Sequence, residues 1–342
     1  MNTNLISIDR LFGHVVPMLA LAGIFLSVIG PSATLASDDT AASAKAKPFT
    51  GMWLWRSSSI ETSEARQRLW QFCSEYGFDR VLVQIHCQGK GQAVRLRHPE
   101  SYAALLREAA EQNVVIEALE GEKDMAQPDK VGQTLARLDA ILAFNRSLPV
   151  GHRFAGVHYD IEPYLMKELW ESDERQSVMR NYLDFLATAR KRLTDDGSGL
   201  ILSVDIPFWY DHKTEPGDSC VLEYNGSTKN LHEHVQDLTD YIGIMSYRRF
   251  AAGRNGVLYH CRNELAYGRQ IGKHVAPAIE VGPSRDVAPI SFHGLPPATF
   301  WQELNVIRTK LADDAAYAGV FVHCYEHLLD YLGDKNQSAP KE

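Results

Sequence analysis

Short apolar runs alternate with longer amphipathic segments from residue 49 almost to the end of the chain. Eight runs read as strands: Gly51–Trp55, Arg80–His86, Val114–Leu119, Gly156–Glu162, Leu200–Ile206, Tyr241–Tyr247, Val275–Glu280 and Gly319–Cys324. They begin roughly 30 to 45 residues apart. Between them, apolar residues at helical spacing predict helices over Thr62–Tyr76, Ser101–Gln112, Lys130–Ser147, Glu174–Leu193, Leu258–Ile271 and Thr299–Ala312. Strands alternating with helices make βαβ units and a parallel sheet. Eight such units in about 300 residues predict an α/β fold, a (β/α)8 TIM barrel in a single domain. A doubly wound open sheet is the competing architecture. It usually carries a Gly-rich turn after its first strand, and none follows here.

The N-terminal segment stands outside this pattern. Arg10 precedes an apolar run, Val15 to Ile29, and then Pro31-Ser32-Ala33-Thr34-Leu35-Ala36-Ser37. That order predicts a secretory signal peptide over residues 1–36, with cleavage near Ala36 and export to the periplasm or the medium. A retained membrane anchor is the alternative reading. Residues 37–48 are small and polar like a linker, 49–334 form the predicted catalytic barrel, and 335–342 read as a disordered tail.

Composition narrows the partners. The 342 residues are 45% apolar, enough for a sizeable core, and the net charge of −8 argues against nucleic acid. The five cysteines, Cys73, Cys87, Cys220, Cys261 and Cys324, form no C-x-x-C pair, which weakens zinc and redox readings. Export would permit disulfides. Cys220 and Cys261, both in loop-like surroundings, are then the candidate pair, and Cys73 reads as a core residue.

The chemistry gathers at the ends of the runs, where a barrel of this kind places its active site. In Gly156-Val157-His158-Tyr159-Asp160-Ile161-Glu162, alternation puts His158, Asp160 and Glu162 on one face. Carboxyls two residues apart on a strand stand roughly 6–7 Å apart. Two full charges at that distance in a poorly solvated cleft are unfavourable, so one pKa should rise. A raised carboxyl pKa suits a general acid near neutral pH. The other ends carry Trp53 and Trp55, Gln84 and His86, Glu117, Asp205 followed by Trp209, Tyr247, Glu280, and His323 followed by Tyr325. Acids among aromatic rings suit carbohydrate, because ring faces stack on sugar CH groups while carboxylates and amides bind hydroxyls.

At these residues the chain resembles the family-18 glycoside hydrolases, the chitinase-type barrels. Their fourth strand carries Asp-Gly-x-Asp-x-Asp-x-Glu, and the matching run here is Ala155-Gly156-Val157-His158-Tyr159-Asp160-Ile161-Glu162. The last Asp and the Glu keep register, while Ala155 and His158 replace the first two Asp residues. Their sixth strand carries Met-x-Tyr-Asp, against Met245-Ser246-Tyr247-Arg248 here. Their eighth strand has Gly followed four residues later by Trp, where this chain has Gly319 and His323. The resemblance implies Glu162 as general acid. It implies Asp160, helped by Tyr247, as the group that orients a substrate acetamido group acting as nucleophile.

Three functions follow as expectations. The first is a glycosidase cleaving an oligo- or polysaccharide, with N-acetylated sugars as candidate substrate, and without cofactor or metal. Its catalytic residues are Glu162 with Asp160 and Tyr247 or, in a second mechanism, Glu162 with Glu280 as the nucleophile across the pocket in a two-carboxylate scheme. Its substrate-binding residues are Trp53, Trp55, Gln84, His86, Glu117, His158, Asp205, Trp209, His323 and Tyr325. The second is a non-catalytic glycan-binding barrel. The third is a metal-dependent hydrolase using His86, His158, Asp160 and His323. His158 reads either as a hydrogen-bond partner of Asp160 or as a passive core histidine.

Overall fold

A computed structural model of the chain describes residues 47–211, 219–284 and 289–333. The expected signal peptide, most of the linker and the C-terminal tail lie outside these residues. Eight parallel strands close into a barrel: β1 (Phe49–Leu54), β2 (Arg80–Gln84), β3 (Val115–Glu120), β4 (Gly156–Tyr159), β5 (Ile201–Pro207), β6 (Tyr241–Met245), β7 (His274–Glu280) and β8 (Gly319–His323). They follow one another around the ring in chain order, and β8 pairs with β1 through Phe49 opposite Gly319 and Gly51 opposite Phe321. The (β/α)8 barrel expected from the spacing is the fold observed.

Each strand is followed by a helix: α1 (Ser63–Tyr76), α2 (Pro99–Gln112), α3 (Val131–Ser147), α4 (Arg175–Asp196), α5 (Leu231–Leu238), α6 (Arg262–Ile271), α7 (Pro297–Leu311) and α8 (Tyr325–Leu332). Local signals set their ends. The Thr62 side chain accepts a hydrogen bond from Ala65 N–H at 3.1 Å to start α1, and Gly77 closes it in the left-handed region at φ 72°. Asn230 and Glu233 form a reciprocal capping box at the start of α5. The expected Leu258–Ile271 helix is broken into Val257–His260 and α6. Sequence periodicity did not find α5 or α8, which are eight residues long each.

Two apolar layers result. The outward faces of the strands pack against the helices in a core that includes Leu69, Leu105, Leu138, Val157, Leu186, Ile244 and Val322. Inside the barrel, Phe49, Trp53, Leu82, Leu119, Tyr241, Ala276, Ala278 and Phe321 form a second cluster. The Phe321 ring fits because β1 carries Gly51 opposite it. A Cβ at Gly51 would lie 2.3 Å from that ring. No described helix is long and apolar enough to cross a membrane. No disulfide joins Cys220 to Cys261, and both are buried, which corrects the expected pairing. Cys73 lies in the core, as its helical pattern indicated.

Candidate active site

The fourth strand ends at Tyr159, three residues earlier than its alternation suggested. Asp160 still hangs on the barrel rim, its N–H donating to the Glu120 carbonyl at 2.8 Å. Asp160 and Glu162 therefore reach the mouth of the barrel from the first turn beyond β4.

Burial raises the pKa of the Asp160 carboxyl well above its ordinary value, and the charges of Asp205 and Glu162 add to the shift. Its Oδ1 is buried without a hydrogen-bond partner. Burial also raises Glu162; a hydrogen bond from Tyr164 opposes the shift and Asp205 reinforces it. The Tyr164 hydroxyl donates to Glu162 Oε1. Both carboxyls thus move toward the protonated form, where the sequence led us to expect one. Tyr247 completes the group from β6. Burial drives its hydroxyl strongly against ionisation, and so do the charges of Glu280, Asp205, Asp160 and Glu162 around it.

Asp205 stands below the mouth on β5. Its Oδ2 accepts from Trp53 Nε1 at 2.8 Å and lies 2.8 Å from His158 Nε2. Gly243, its neighbour in the β5–β6 register, leaves the room, because a Cβ there would come within 2.1 Å of Asp205 Oδ1. Trp53 is 1% exposed, so its ring packs the barrel and its N–H fixes Asp205. Trp55 is partly exposed at the rim and donates from Nε1 to His323 Nε2 at 3.1 Å. That leaves the His323 proton on Nδ1, which faces Glu280 Oε2 at 2.7 Å. His327 Nδ1 lies 3.3 Å from the other Glu280 oxygen. Burial works against ionisation of Glu280, but the hydrogen bonds from His323 and His327 prevail and hold its pKa down at about 2.

His323, Cys324 and His327 could by spacing hold a metal ion. The donor chemistry does not favour one: both His323 ring nitrogens are engaged, and burial pushes the Cys324 thiol up, away from the thiolate a metal needs. The four residues expected for a metal are also dispersed. His158 is enclosed against Asp205 and Ser203, and His86 lines a separate pocket of about 100 Å³ with Ser57, Glu61, Arg97 and Tyr102.

Three more of the expected residues stand apart from the carboxyls. Glu117 lies deep in the barrel, paired with Arg80 and accepting hydrogen bonds from Tyr241 and Ser203. Gln84 turns its amide to the adjacent Ile85 carbonyl at 3.4 Å. Tyr325 is 2% exposed and packs edge-on against Phe72 on the helix side. Trp209 joins the site indirectly, its ring 5.0 Å from that of Tyr164. Sequence reasoning missed Tyr164, two residues past Glu162, and His327, one helical turn past His323. Both signals were local. Ser203 was missed as well, and its link to His158 crosses between strands.

No protein-family model matches the chain, and no curated protein matches it. Solved structures do resemble it. The Bacillus cereus spore cortex-lytic enzyme SleL superposes with a TM-score of 0.50 at 12% identity, over 81% of this chain and 71% of that one. A chitinase from Bacteroides thetaiotaomicron gives 0.50 at 12% identity, over 82% and 90%. A calcium-binding mutant of Bacteroides uniformis beta-glucuronidase 2 gives 0.53 at 13%, over 81% of this chain and 30% of that one. At such identities what this chain shares with them is the (β/α)8 barrel.

Proposed function

We propose that the protein is an exported glycoside hydrolase that cleaves an oligo- or polysaccharide containing N-acetylated sugars, with Glu162 as general acid. The observation that carries this reading is the paired rise of Asp160 and Glu162 at the barrel mouth, with Tyr247 facing both. Glu162 keeps its proton to higher pH than an ordinary carboxyl. Tyr164 occupies Oε1, which leaves Oε2 to deliver a proton to the leaving glycosidic oxygen. Such proton transfer contributes roughly 10²–10⁴-fold. A protonated Asp160 has a hydrogen bond to give, and a substrate acetamido group is a suitable acceptor. The acetamido oxygen would then serve as the nucleophile, with Tyr247 steadying it.

Glu280 fits the alternative nucleophile role less well. It is ionised, but His323 and His327 hold one oxygen each. We assign it to positioning His323 and, through it, Trp55. Partly exposed Trp55 and Trp209 are the candidate sugar platforms. The apolar run from Val15 to Ile29 supports export. The shared barrel is compatible with this activity, and the site geometry carries the proposal.

The test is hydrolysis of an oligosaccharide panel that includes N-acetylglucosamine oligomers, by wild type and Glu162→Gln. Cleavage by the wild type that falls by about 10²-fold or more in the variant supports the reading. No cleavage of any glycan, with binding intact in both proteins, overturns it in favour of a binding barrel.

A further inference from the structure

One positive charge at the barrel mouth is held by neutral groups alone. Tyr247 and Arg248 follow the carboxyl end of β6, which stops at Met245. Met245 stands in register with Pro207, the last residue of β5, and Phe208 comes next. The Arg248 guanidinium lies over the Phe208 ring, 5.0 Å from its centroid. Its side chain is partly buried, and its protein partners are all uncharged oxygens. Other arginines drawn out of water in this chain end on a carboxylate: Arg66 on Glu108, Arg80 on Glu117 and Arg137 on Glu120.

The clamp on Arg248 leaves part of the guanidinium open. Nε and Nη2 donate to Asn255 Oδ1 at 3.1 and 3.0 Å, and Nη1 donates to the Tyr247 carbonyl at 2.7 Å. Asn255 presents that oxygen from the left-handed region at φ 70°, where asparagine is tolerated. His260 Nε2 closes on the same atom at 2.6 Å. A guanidinium carries five N–H donors. Three are engaged, and one remains on each terminal nitrogen. Two such donors, fixed in one plane, are what a carboxylate accepts with its two oxygens. A partly desolvated cation without a counter-charge is costly, and a ligand carboxylate would remove that cost.

We propose that Arg248 is a specificity-determining residue that binds a carboxylate of the glycan, so that the substrate is an acidic oligo- or polysaccharide. This deepens the glycosidase reading and rests on it for the place of the cleaved bond. Tyr247 turns toward His323, ring centres 6.0 Å apart, while Arg248 turns to Phe208 at the end of β5. Arg248 thus stands aside on the rim, next to the sugar platform assigned to Trp209. The carboxylate it meets belongs to a sugar neighbouring the one whose bond is broken. The chitinase-type barrels carry Asp where this chain has Arg248, so the charge offered to a substrate here is reversed.

The experiment is calorimetric binding to the full chain carrying Glu162→Gln, which separates binding from cleavage. The probes are an oligosaccharide alternating N-acetylglucosamine with glucuronic acid, and the same oligosaccharide with its carboxyls reduced to alcohols. The acidic form should bind roughly tenfold or more tighter at low salt, and the margin should shrink as salt rises. Arg248→Gln should bring the ratio of the two affinities close to one. Arg248→Lys, which keeps the charge without the fork, should fall between and serves if the glutamine variant does not fold. Equal binding of the two forms, no binding of the acidic form, or a ratio unmoved by either substitution overturns the proposal. An acidic preference in a protein that cleaves nothing in the panel would sink the hydrolase reading and leave this subsite standing.

Discussion

Gly243→Ala tests whether Asp205 is clamped as the geometry implies. A Cβ at this position would lie 2.1 Å from Asp205 Oδ1 and 3.3 Å from Cγ, where side chains essentially never approach below 3.0 Å. The carboxylate must retreat by roughly 1 Å, and the closed barrel gives it nowhere to go without strain. On the other oxygen, Trp53 Nε1 donates to Oδ2 at 2.8 Å, and His158 Nε2 lies 2.8 Å from it. Overpacking costs about 1–3 kcal/mol. Losing a hydrogen bond to a charged group costs about 1.5–3 kcal/mol more. Partial relaxation places the expected loss near 3 kcal/mol, to be set against the ~5–15 kcal/mol that holds a domain together. Urea unfolding followed by tryptophan fluorescence measures it. Gly132→Ala is the control, because its Cβ meets nothing within 4 Å on an exposed helix. It should gain up to about 1 kcal/mol through the unfolded chain. A Gly243→Ala protein within about 0.5 kcal/mol of wild type would refute the clamp.

Other predictions follow from individual contacts. Burial raises Glu120 to about 7 in spite of its ion pair with Arg137, so its contribution to stability is fully present below the unfolded value near 4.5 and is lost as pH rises through about 7. Glu120→Gln should flatten the urea midpoint between about pH 5 and pH 8. Glu280 behaves oppositely. Its depressed pKa gives stability that is present above about 4.5 and lost as pH falls toward about 2, and Glu280→Gln should weaken that acid sensitivity in a midpoint series. Trp55→Phe removes the donor to His323 Nε2 at the exposed rim. It should leave the unfolding midpoint within about 0.5 kcal/mol while lowering kcat/KM on a cleaved oligosaccharide. All five cysteines should react with a thiol reagent in denaturant without prior reduction.

The barrel was legible because its period is local. Eight apolar runs at regular spacing survive errors of two or three residues at either end, as at β4, which stops after Tyr159. The mouth carboxyls were legible for the same reason, since Asp160 and Glu162 sit on one short segment. Depth along the barrel was not legible. Glu117 and Asp205 both point inward, yet strand register sets Glu117 beside Arg80 and Tyr241, low in the ring, and lifts Asp205 to Trp53. That difference depends on pairings such as Trp53 with Asp205, 152 residues apart. The short helix α8 hid Tyr325 in the same way. It follows the eighth strand closely enough to suggest the mouth, but its first turn already carries it outward to Phe72.

Glu117 and the carboxyls nearer the mouth differ in how completely their oxygens are paired, and this separates support from chemistry. At the lower level, both Glu117 oxygens are taken up by Arg80, Ser203 and Tyr241, and nothing is left for a ligand. Removing any one partner there should act mainly on stability. At the upper level, Asp160 Oδ1 and Asp205 Oδ1 are buried without partners. Each orphan polar atom costs roughly 1–3 kcal/mol, a burden a barrel does not need in order to fold. Beside them, Glu162 and Tyr247 are partly open to the mouth. A substrate that supplied acceptors and donors at this level would satisfy Asp160 only when bound. Its binding energy would then be concentrated next to the acid that breaks the bond.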